Sequence, residues 1–489
     1  MSQGKPRIRN PESPHPHHES QGATLRFAHR ERTLNGITIR RSLGPLVLAL
    51  AATLMTLGFT APDGRADWPG AKFIEFGGLR KTEAHQTAVQ ADGKIVVVGY
   101  GTKSDLRRGN LVVTRLLPDG TLDPTFGENG RAVIWSEDLW AFFDVEIQQD
   151  GGILVLGTSS EGLGVIRVNP DGTADPGFGH KGIAAIRFMT DWGIPWGSIS
   201  LGPDDTITYA GTSYRRAPKP QYWKKETVIL KLTADGKRDR SFAGTGLMKR
   251  AKAWSRVTLS GQTMEDGSVL AVGATRLGKQ PVSGFARFGP SLAKVGPSGK
   301  PDQDFGKNGI RKLSGLYSAA PRGYRMRTCS PVNSMFDRGG RIVVLANCVA
   351  KKDGGQEFPM MGALLRFLPD GTPDLTFAGD GSRALVARPA TMFGSIAEGP
   401  DGSLTLAGMD INTDSSLIFR VGPSGETSPD LGPNGYRYYS GPREKFSPGI
   451  SVDDRGWTYA PITTYKDAKK ETDEQSWFGV VAIPKTGRP

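Results

Sequence analysis

Histidine and cysteine are scarce in this chain. Among 489 residues, six are histidine and two are cysteine, and only His85 and His180 follow residue 66. Zinc sites and histidine-based catalytic triads need several such side chains, or carboxylates, close together, and the sequence shows no such cluster. It also lacks a Gly-x-Ser-x-Gly elbow and a phosphate-binding loop. The sequence therefore predicts no catalytic residue, no metal and no cofactor.

Long apolar runs are also lacking. The longest, residues 46–59, is too short to span a bilayer comfortably, since a spanning helix needs about 20 apolar residues. It follows Arg40-Arg41 and precedes Gly64-Arg65-Ala66, which is the pattern of a secretory signal peptide cleaved before Asp67. We expect residues 1–66 to be a disordered N-region plus signal peptide, and residues 67–489 to be exported without a membrane span. A twin-arginine signal and a retained membrane anchor are the alternatives.

The net charge of the chain does not indicate specific nucleic-acid binding, and it excludes few other functions. The net charge is +13, but part of the excess lies in residues 1–66, so the exported part is only mildly basic. A basic balance of this size is no nucleic-acid signature by itself. We expect a monomer whose partner is a glycan or an envelope protein.

Two elements alternate along residues 67–489 with a period of about sixty residues, and such a period indicates a repeat architecture. One is x-Pro-Asp-Gly-x-x-Asp-x-x-Phe-Gly-x-x-Gly, first seen at residues 117–130. The other is Asp-Gly-x-Ile-x-Val-x-Gly, first seen at residues 92–99. Because Asp-Gly between β-branched runs is a strong hairpin signal, each second element predicts a turn between two buried strands.

The repeat predicts four strands per unit, which we call the first to fourth strands. Seven copies of the Asp-Gly turn can be counted, from Gly93 to Gly456. Radially repeated four-stranded sheets make a propeller, so we expect an all-β, seven-bladed β-propeller of four-stranded blades. The seventh unit lacks a fourth strand, whereas residues 71–76 resemble a fourth strand with nothing before it. We therefore expect this N-terminal strand to pair with residues 478–483, complete the last blade and close the ring.

These two alternating motifs resemble those of the delta-60 repeat family of bacterial exported β-propellers. The resemblance covers roughly residues 67–489, and both motifs recur in phase. It implies a propeller fold and an exported location, and it implies no established activity or catalytic residue. The sequence departs from the pattern at Asp204-Asp205, which replaces Asp-Gly, and at Leu431, which replaces the phenylalanine.

The residues that recur in the repeats have a structural interpretation. In most units a base lies five positions before the glycine of the Pro-Asp-Gly motif, as Arg115 does before Gly120. An aspartate lies three positions after that glycine, as at Asp123. We expect an ion pair between the third strand and the following loop, with calcium binding and catalysis as alternatives. The recurrent phenylalanines are expected to fill the core; they are Phe126, Phe178, Phe242, Phe305 and Phe377.

The two cysteines flank the hairpin turn at Gly339-Gly340 at equal distances. In an antiparallel hairpin with a two-residue turn, Cys329 and Cys348 lie directly opposite each other, at a separation that suits a disulfide. Export makes oxidation favourable. We therefore predict a Cys329–Cys348 disulfide, and two buried free thiols are the alternative.

The variable connections carry the candidate ligand-binding residues. In a propeller, the second-to-third and fourth-to-first connections emerge on one face, which we call the variable face, and the others emerge on the turn face. Aromatic and basic residues are concentrated in the variable connections, and this combination suits a sugar chain, an acidic polymer or a protein. The candidates are Trp140, Trp192, Trp196, Arg215, Arg216, Tyr222, Trp223 and Tyr324. Packing of the tryptophans as caps of the blades is the alternative.

These observations favour an exported, non-enzymatic binding or scaffold module that acts through its variable face. The alternative is a polysaccharide hydrolase or lyase with carboxylates in the central funnel, as in glycoside hydrolases. The scarcity of histidine and of activated nucleophiles favours the binding module, and no carboxylate pair stands out in the sequence.

Overall fold

A computed structural model describes most of the chain after residue 69. The described residues are 70–103, 109–135, 139–159, 162–187, 196–216, 223–250, 257–276, 288–313, 324–352, 357–388, 390–439, 444–447, 449–466 and 475–485. All of them belong to the unit Gly58–Pro489. The expected signal peptide and N-region, residues 1–66, lie outside them.

The strands follow the repeat. The first five are β1 (Gly70–Ile74), β2 (Lys81–Val89), β3 (Ile95–Thr102), β4 (Asn110–Leu116) and β5 (Arg131–Ile134). The next eight are β6 (Leu139–Ile147), β7 (Ile153–Ser159), β8 (Gly162–Val168), β9 (Ile183–Arg187), β10 (Trp196–Leu201), β11 (Ile207–Arg216), β12 (Trp223–Leu232) and β13 (Leu247–Arg250).

The second half of the chain continues the same order of elements. Its first eight strands are β14 (Val257–Thr263), β15 (Val269–Arg276), β16 (Phe288–Val295), β17 (Ile310–Lys312), β18 (Tyr324–Phe336), β19 (Ile342–Lys352), β20 (Glu357–Phe367) and β21 (Ser382–Leu385). The remaining strands are β22 (Thr391–Glu398), β23 (Leu404–Asp410), β24 (Ser415–Val421), β25 (Tyr436–Tyr439), β26 (Glu444–Phe446), β27 (Ser451–Val452), β28 (Thr458–Lys466) and β29 (Gln475–Ile483). A 3-10 turn, Pro429–Leu431, precedes β25.

The molecule is an all-β propeller, as predicted, but the predicted count of seven blades is wrong. The described residues form five four-stranded blades: β6–β9, β10–β13, β14–β17, β18–β21 and β22–β25. The strands expected to form two further blades lie together in one nine-stranded sheet, in which β1 pairs with β29 and β2 lies beside β29. The propeller therefore has five four-stranded blades, and the remaining strands form one merged sheet.

The two ends of the repeat region merge through a short parallel contact. Lys81 of β2 pairs in parallel with Ser476 of β29. The Thr82 backbone N–H donates to Ser476 Oγ at 3.1 Å, and Thr82 Oγ1 donates to the Ser476 carbonyl at 3.2 Å. These bonds join two sets of strands that the repeat pattern treats as separate. The N-terminal strand does pair with residues 478–482, with Ile74 opposite Phe478 and Gly70 opposite Ala482.

The first strand of each blade lies innermost. The first strands contact one another in order around the ring, from β2 through β6, β10, β14, β18 and β22 to β27, which returns to β2. Hydrogen bonds connect neighbouring strands of this inner ring at one repeat position. This position lies seven residues before the glycine of the turn between the first and second strands, such as Gly93 or Gly340. Gln86 Nε2, for example, donates to the Phe143 carbonyl at 3.0 Å, and Asn333 Nδ2 donates to the Gly394 carbonyl at 3.3 Å. Polar side chains at this position therefore connect several of the units to the next unit.

Short turns alternate with buried strands, and some of the turn positions accept only glycine for steric reasons. Gly236 has a φ of 80°, a region that favours glycine. A Cβ at Gly236 would lie 2.7 Å from the Phe178 ring of the preceding unit. The turn of one unit thus closes over the core phenylalanine of the unit before it.

None of the helices among these described residues combines the length and the apolar character that crossing a membrane requires.

Candidate functional site

The recurrent base–aspartate pairs form ion pairs within the repeat. Arg115 Nε lies 2.8 Å from Asp123 Oδ2, and Arg366 Nε lies 2.7 Å from Asp374 Oδ2. The other oxygen of Asp123 accepts from the Thr125 backbone N–H and hydroxyl, at 3.0 and 2.7 Å. Because both carboxylate oxygens are already bonded within the protein, these aspartates act in the structure of the loop.

The same bases also reach the next unit. Arg115 Nη1 donates to the Pro170 carbonyl at 2.6 Å, and Arg366 Nη1 donates to the Pro423 carbonyl at 2.5 Å. Two of the recurrent phenylalanines lie under these bases: the Arg115 guanidinium is 4.6 Å from the centre of the Phe126 ring, and the Arg366 guanidinium is 4.5 Å from the centre of the Phe377 ring. All five phenylalanines are at most 4% exposed. The repeated residues therefore join neighbouring units.

The predicted disulfide is present. Cys329 and Cys348 are directly opposed on β18 and β19 and are bonded to each other. Both are buried. Disulfides persist in oxidising compartments, and this bond links the neighbouring strands β18 and β19.

The variable connection that carries Arg215, Arg216 and Trp223 is partly a β-hairpin. Arg215 and Arg216 lie at the end of β11, and Trp223 begins β12. Arg216 pairs with Trp223, and Arg215 pairs with Lys224. The structure thus brings three of the predicted site residues together at the variable-face end of the blade β10–β13. Sequence reasoning treated this segment as a connection, and it missed that the strands continue into it.

The other predicted binding residues are dispersed. Trp196 begins β10 and pairs with Thr212, so it belongs to the same blade as the hairpin. Trp140 lies in β6 of the preceding blade, and Tyr324 is half-buried at the start of β18. Trp192 and Tyr222 lie outside the described residues.

Two acidic side chains on the inner strand β6 were missed by the sequence analysis. Asp144 occupies the inner-ring position at which other units have Gln86 or Asn333, and its Oδ2 accepts from the Ile199 backbone N–H of β10 at 2.8 Å. Glu146 follows two residues later on the same strand. The aligned repeats contain a signal for this site, since Asp144 is a carboxylic acid at a position otherwise filled by neutral residues.

The environment of this acidic pair opposes ionisation. Burial raises the pKa of Asp144 to about 7, although the backbone N–H groups of Ile199 and Val145 oppose the shift. Burial also raises the pKa of Glu146 to about 8, and the neighbouring charge of Asp144 adds to that shift. Both side chains remain half-buried, so part of each is accessible. A carboxyl pair that titrates near neutral pH is suited to proton transfer.

A groove runs along the outer strand β5. It has a volume of about 710 Å³ and is lined by residues of β5, the preceding loop, the chain after β1 and the turn of the next unit. Arg131, Val133 and Trp135 alternate with the buried Ala132 and Ile134. The Trp135 side chain is 71% exposed and that of Val133 49%. A large apolar surface is therefore open to solvent inside a concave site.

A second cleft continues this groove. Its volume is about 440 Å³, and it shares Glu75, Phe76, Gly77 and Arg131 with the first. Its other lining residues include Arg80 and the half-buried Trp477. The combined groove thus has tryptophans in both parts and charged side chains of both signs, Glu75 and Arg131 among them.

Within the part of the chain that the structure describes, no group of three or more His, Cys, Asp or Glu side chains is placed to hold a metal ion. His85 lies on β2, with its Nε2 3.6 Å from Glu83 Oε2 and its Nδ1 bonded to the Phe142 carbonyl. Both ring nitrogens of His85 thus have polar neighbours within the protein.

Comparison with known families agrees with the propeller fold. A domain of unknown function described as a β-propeller, DUF5122, matches residues 90–126 and 148–178. The match supports a β-propeller repeat family and does not extend to the finer delta-60 name. No curated protein matches this chain.

Several solved structures resemble the chain at low identity. A protein of unknown function from Dyadobacter fermentans DSM 18053 is 12% identical, with 85% of this chain and 100% of that chain covered and a TM-score of 0.40. The polysaccharide lyase Uly1 is 9% identical, with coverages of 89% and 95% and a TM-score of 0.43. A PL25 ulvan lyase is 9% identical, with coverages of 86% and 100% and a TM-score of 0.47. Likeness at this level carries no argument about activity.

Proposed function

We propose that this protein is an exported β-propeller of the delta-60 repeat type that binds an extended polysaccharide chain in the groove along β5. The observation that carries the proposal is Trp135, which is 71% exposed within a groove of about 710 Å³. An indole offers a large, rigid apolar face with a polar edge, and such side chains dominate the energetics of many binding sites. The buried disulfide supports export, because such bonds persist outside reducing compartments.

The lining of the groove fits a sugar chain better than a purely apolar ligand. Val133 and Trp135 provide the apolar surface, while Glu75, Glu128 and Arg131 provide hydrogen-bonding groups along the same groove. Binding sites usually combine an apolar wall with a few polar groups that fix orientation. The adjoining cleft at Arg80 and Trp477 lengthens the site, which favours a polymer over a small molecule.

Replacing Trp135 with alanine is expected to weaken polysaccharide binding about tenfold or more, which corresponds to about 1.4 kcal/mol. Affinity electrophoresis and calorimetry with a panel of soluble polysaccharides measure this effect. Leu375→Ala is the matched control, since Leu375 is 68% exposed and does not line the groove. Unchanged binding of every retained polysaccharide by the Trp135→Ala protein would refute the proposal.

Cleavage of a polysaccharide by a hydrolase or lyase reaction is the second candidate function. The acidic pair Asp144 and Glu146 favours this candidate. Their pKa values of about 7 and about 8 suit a general acid and base near neutral pH. If the protein is such an enzyme, Asp144→Asn and Glu146→Gln should each lower turnover at least about a hundredfold while leaving chain binding unchanged. Absence of turnover by the unmodified protein on the polysaccharides that it binds would eliminate this candidate.

A further inference from the structure

Arg131, the first residue of β5, departs from the pattern of the repeat. It directly follows the glycine that ends the first repeat motif, and the residues at this position in the other units are all uncharged: Ile183, Leu247, Ile310, Ser382 and Tyr436. Three of these, Ile183, Leu247 and Ile310, each pack, partly buried, against a hydrophobic core cluster. The fold therefore accommodates an apolar side chain at this position and does not require an arginine.

The positive charge of Arg131 is not compensated within the described part of the protein. Its Nη1 donates to the Asn129 carbonyl of its own loop at 3.1 Å. Its Nε is buried and has no hydrogen-bond partner among the described residues. Most buried polar groups in folded proteins have a partner, and one without a partner costs stability. The half-buried side chain lines a cleft, so an anion bound there would supply the missing charge.

Arg131 lies where the groove along β5 meets the second cleft, because it lines both of them. Arg131, Val133 and Trp135 share one side of the chain, since Ala132 and Ile134 between them are buried. A strand rises about 3.4 Å per residue, which puts the Cα atoms of Arg131 and Trp135 about 13 Å apart. A polymer that lies on Trp135 and continues into the second cleft therefore passes the Arg131 guanidinium.

The two parts of this site differ in the sign of their charge. The groove around Trp135 is lined by two acids, Glu75 and Glu128, and by one base, Arg131. The second cleft is lined by two bases, Arg80 and Arg131, and by one acid, Glu75. Opposite charges attract and like charges across an interface are unfavourable. An anionic group of a ligand is therefore favoured in the second cleft and disfavoured beside Glu128.

We propose that Arg131 selects acidic polysaccharides by binding an anionic group of the chain, a carboxylate or a sulfate ester, at the entrance of the second cleft. The inference rests on the proposed function and specifies its ligand class. A guanidinium presents paired N–H donors in a plane, and this geometry matches the oxygens of such anions. Trp135 contributes apolar contact to any sugar chain, whereas Arg131 distinguishes charged chains from neutral ones.

The experiment measures binding of the full chain to oligosaccharides of hyaluronate and of κ-carrageenan, with dextran as the neutral polymer. Hyaluronate has a carboxylate on alternate rings and κ-carrageenan a sulfate, so that a neutral ring is available for the groove that contains Glu128. Arg131→Gln removes the charge, and Arg131→Ile introduces the residue that the repeat has at positions 183 and 310. Arg240→Gln is the matched control, because Arg240 is exposed and lines neither the groove nor the cleft. Melting curves establish that each variant is folded, and Arg131→Ile should melt no lower than the unmodified protein.

Both Arg131 variants are expected to bind the acidic oligosaccharides about tenfold more weakly in low salt, because a charge-assisted hydrogen bond is lost. Their binding of dextran should not change, and Arg240→Gln should bind all three ligands normally. The acidic oligosaccharide that shows the larger loss identifies the anionic group as carboxylate or sulfate. Added salt should reduce the difference between the variants and the unmodified protein, since it screens the charges.

Three results would overturn the role of Arg131. If Trp135→Ala loses the acidic oligosaccharides while both Arg131 variants retain them, the proposed function stands and the selectivity by Arg131 is rejected. Dextran bound as tightly as both acidic ligands would have the same consequence. If the unmodified protein binds no polysaccharide, the proposed function and this inference are both wrong.

Discussion

Replacing Phe126 with alanine is expected to lower the free energy of unfolding by about 4 kcal/mol, because a fully buried ring is removed and a cavity remains. The ring packs in a core cluster with Val96 and Val113. It also supports the Arg115 guanidinium, 4.6 Å from its centre. The next backbone N–H, that of Gly127, donates to the Asp171 carbonyl of the following unit at 2.7 Å. The loss should therefore weaken the junction between two units as well as one core.

Urea denaturation followed by tryptophan fluorescence measures this change. Leu375→Ala is the control, since Leu375 is 68% exposed and its truncation should change stability by no more than about 0.5 kcal/mol. A Phe126→Ala protein as stable as the Leu375→Ala protein would show that the recurrent phenylalanines do not hold the units together.

Replacing Glu146 with glutamine is expected to stabilise the protein at pH 9 by up to about 5 kcal/mol. Burial and the charge of Asp144 raise the pKa of Glu146 to about 8. Above its ordinary pKa of 4.5, Glu146 in the unfolded chain releases its proton, whereas the folded chain retains this proton up to about pH 8. The contribution of Glu146 to stability therefore falls as the pH rises from about 4.5 to 8. Glutamine stays neutral and removes this dependence.

Thermal unfolding from pH 4 to pH 9 tests this prediction. The two proteins should have similar stabilities at pH 4, and the variant should become relatively more stable as the pH rises. Glu128→Gln is the control, because Glu128 is exposed and should show no such trend. A stability difference between wild type and Glu146→Gln that is constant with pH would contradict the raised pKa.

The local structure of this protein follows from its repeat, because each turn and strand is specified within a few residues. The hairpin turn at Gly339-Gly340 joins β18 and β19, and the predicted Cys329–Cys348 disulfide is present. The register beside the turn pairs Phe336 with Ile342, and a bulge between Pro331 and Asn333 shifts it so that the two cysteines lie opposite each other. The strand β1 likewise pairs with β29, which the unmatched half-units at the two ends predict.

The number of blades depends on contacts that no local pattern specifies. The nine-stranded sheet exists because Lys81 and Ser476, far apart in sequence, form a parallel pair that Thr82 reinforces. The period of sixty residues gives the number of turns in the sequence. It contains no information about which edge strands form hydrogen bonds to each other.

The acidic pair could not be predicted from the sequence, and the reason is related. Asp144 and Glu146 resemble many other carboxylates in the sequence, and only their place on the innermost strand raises their pKa values. The exposure of Trp135 also depends on how β5 packs, since Ala132 and Ile134 of the same strand turn inward. The groove around Trp135 could therefore be found only from the fold.

Oxidative footprinting tests the central claim, that an extended chain lies in the groove along β5. The full-length protein is exposed to hydroxyl radicals with and without a saturating concentration of a polysaccharide that it retains, and oxidation is quantified by mass spectrometry. We predict strong protection of Trp135, which is 71% exposed in the free protein, and none of Leu375, which is 68% exposed outside the groove. Unchanged oxidation of Trp135 in the presence of the bound polymer would contradict the account.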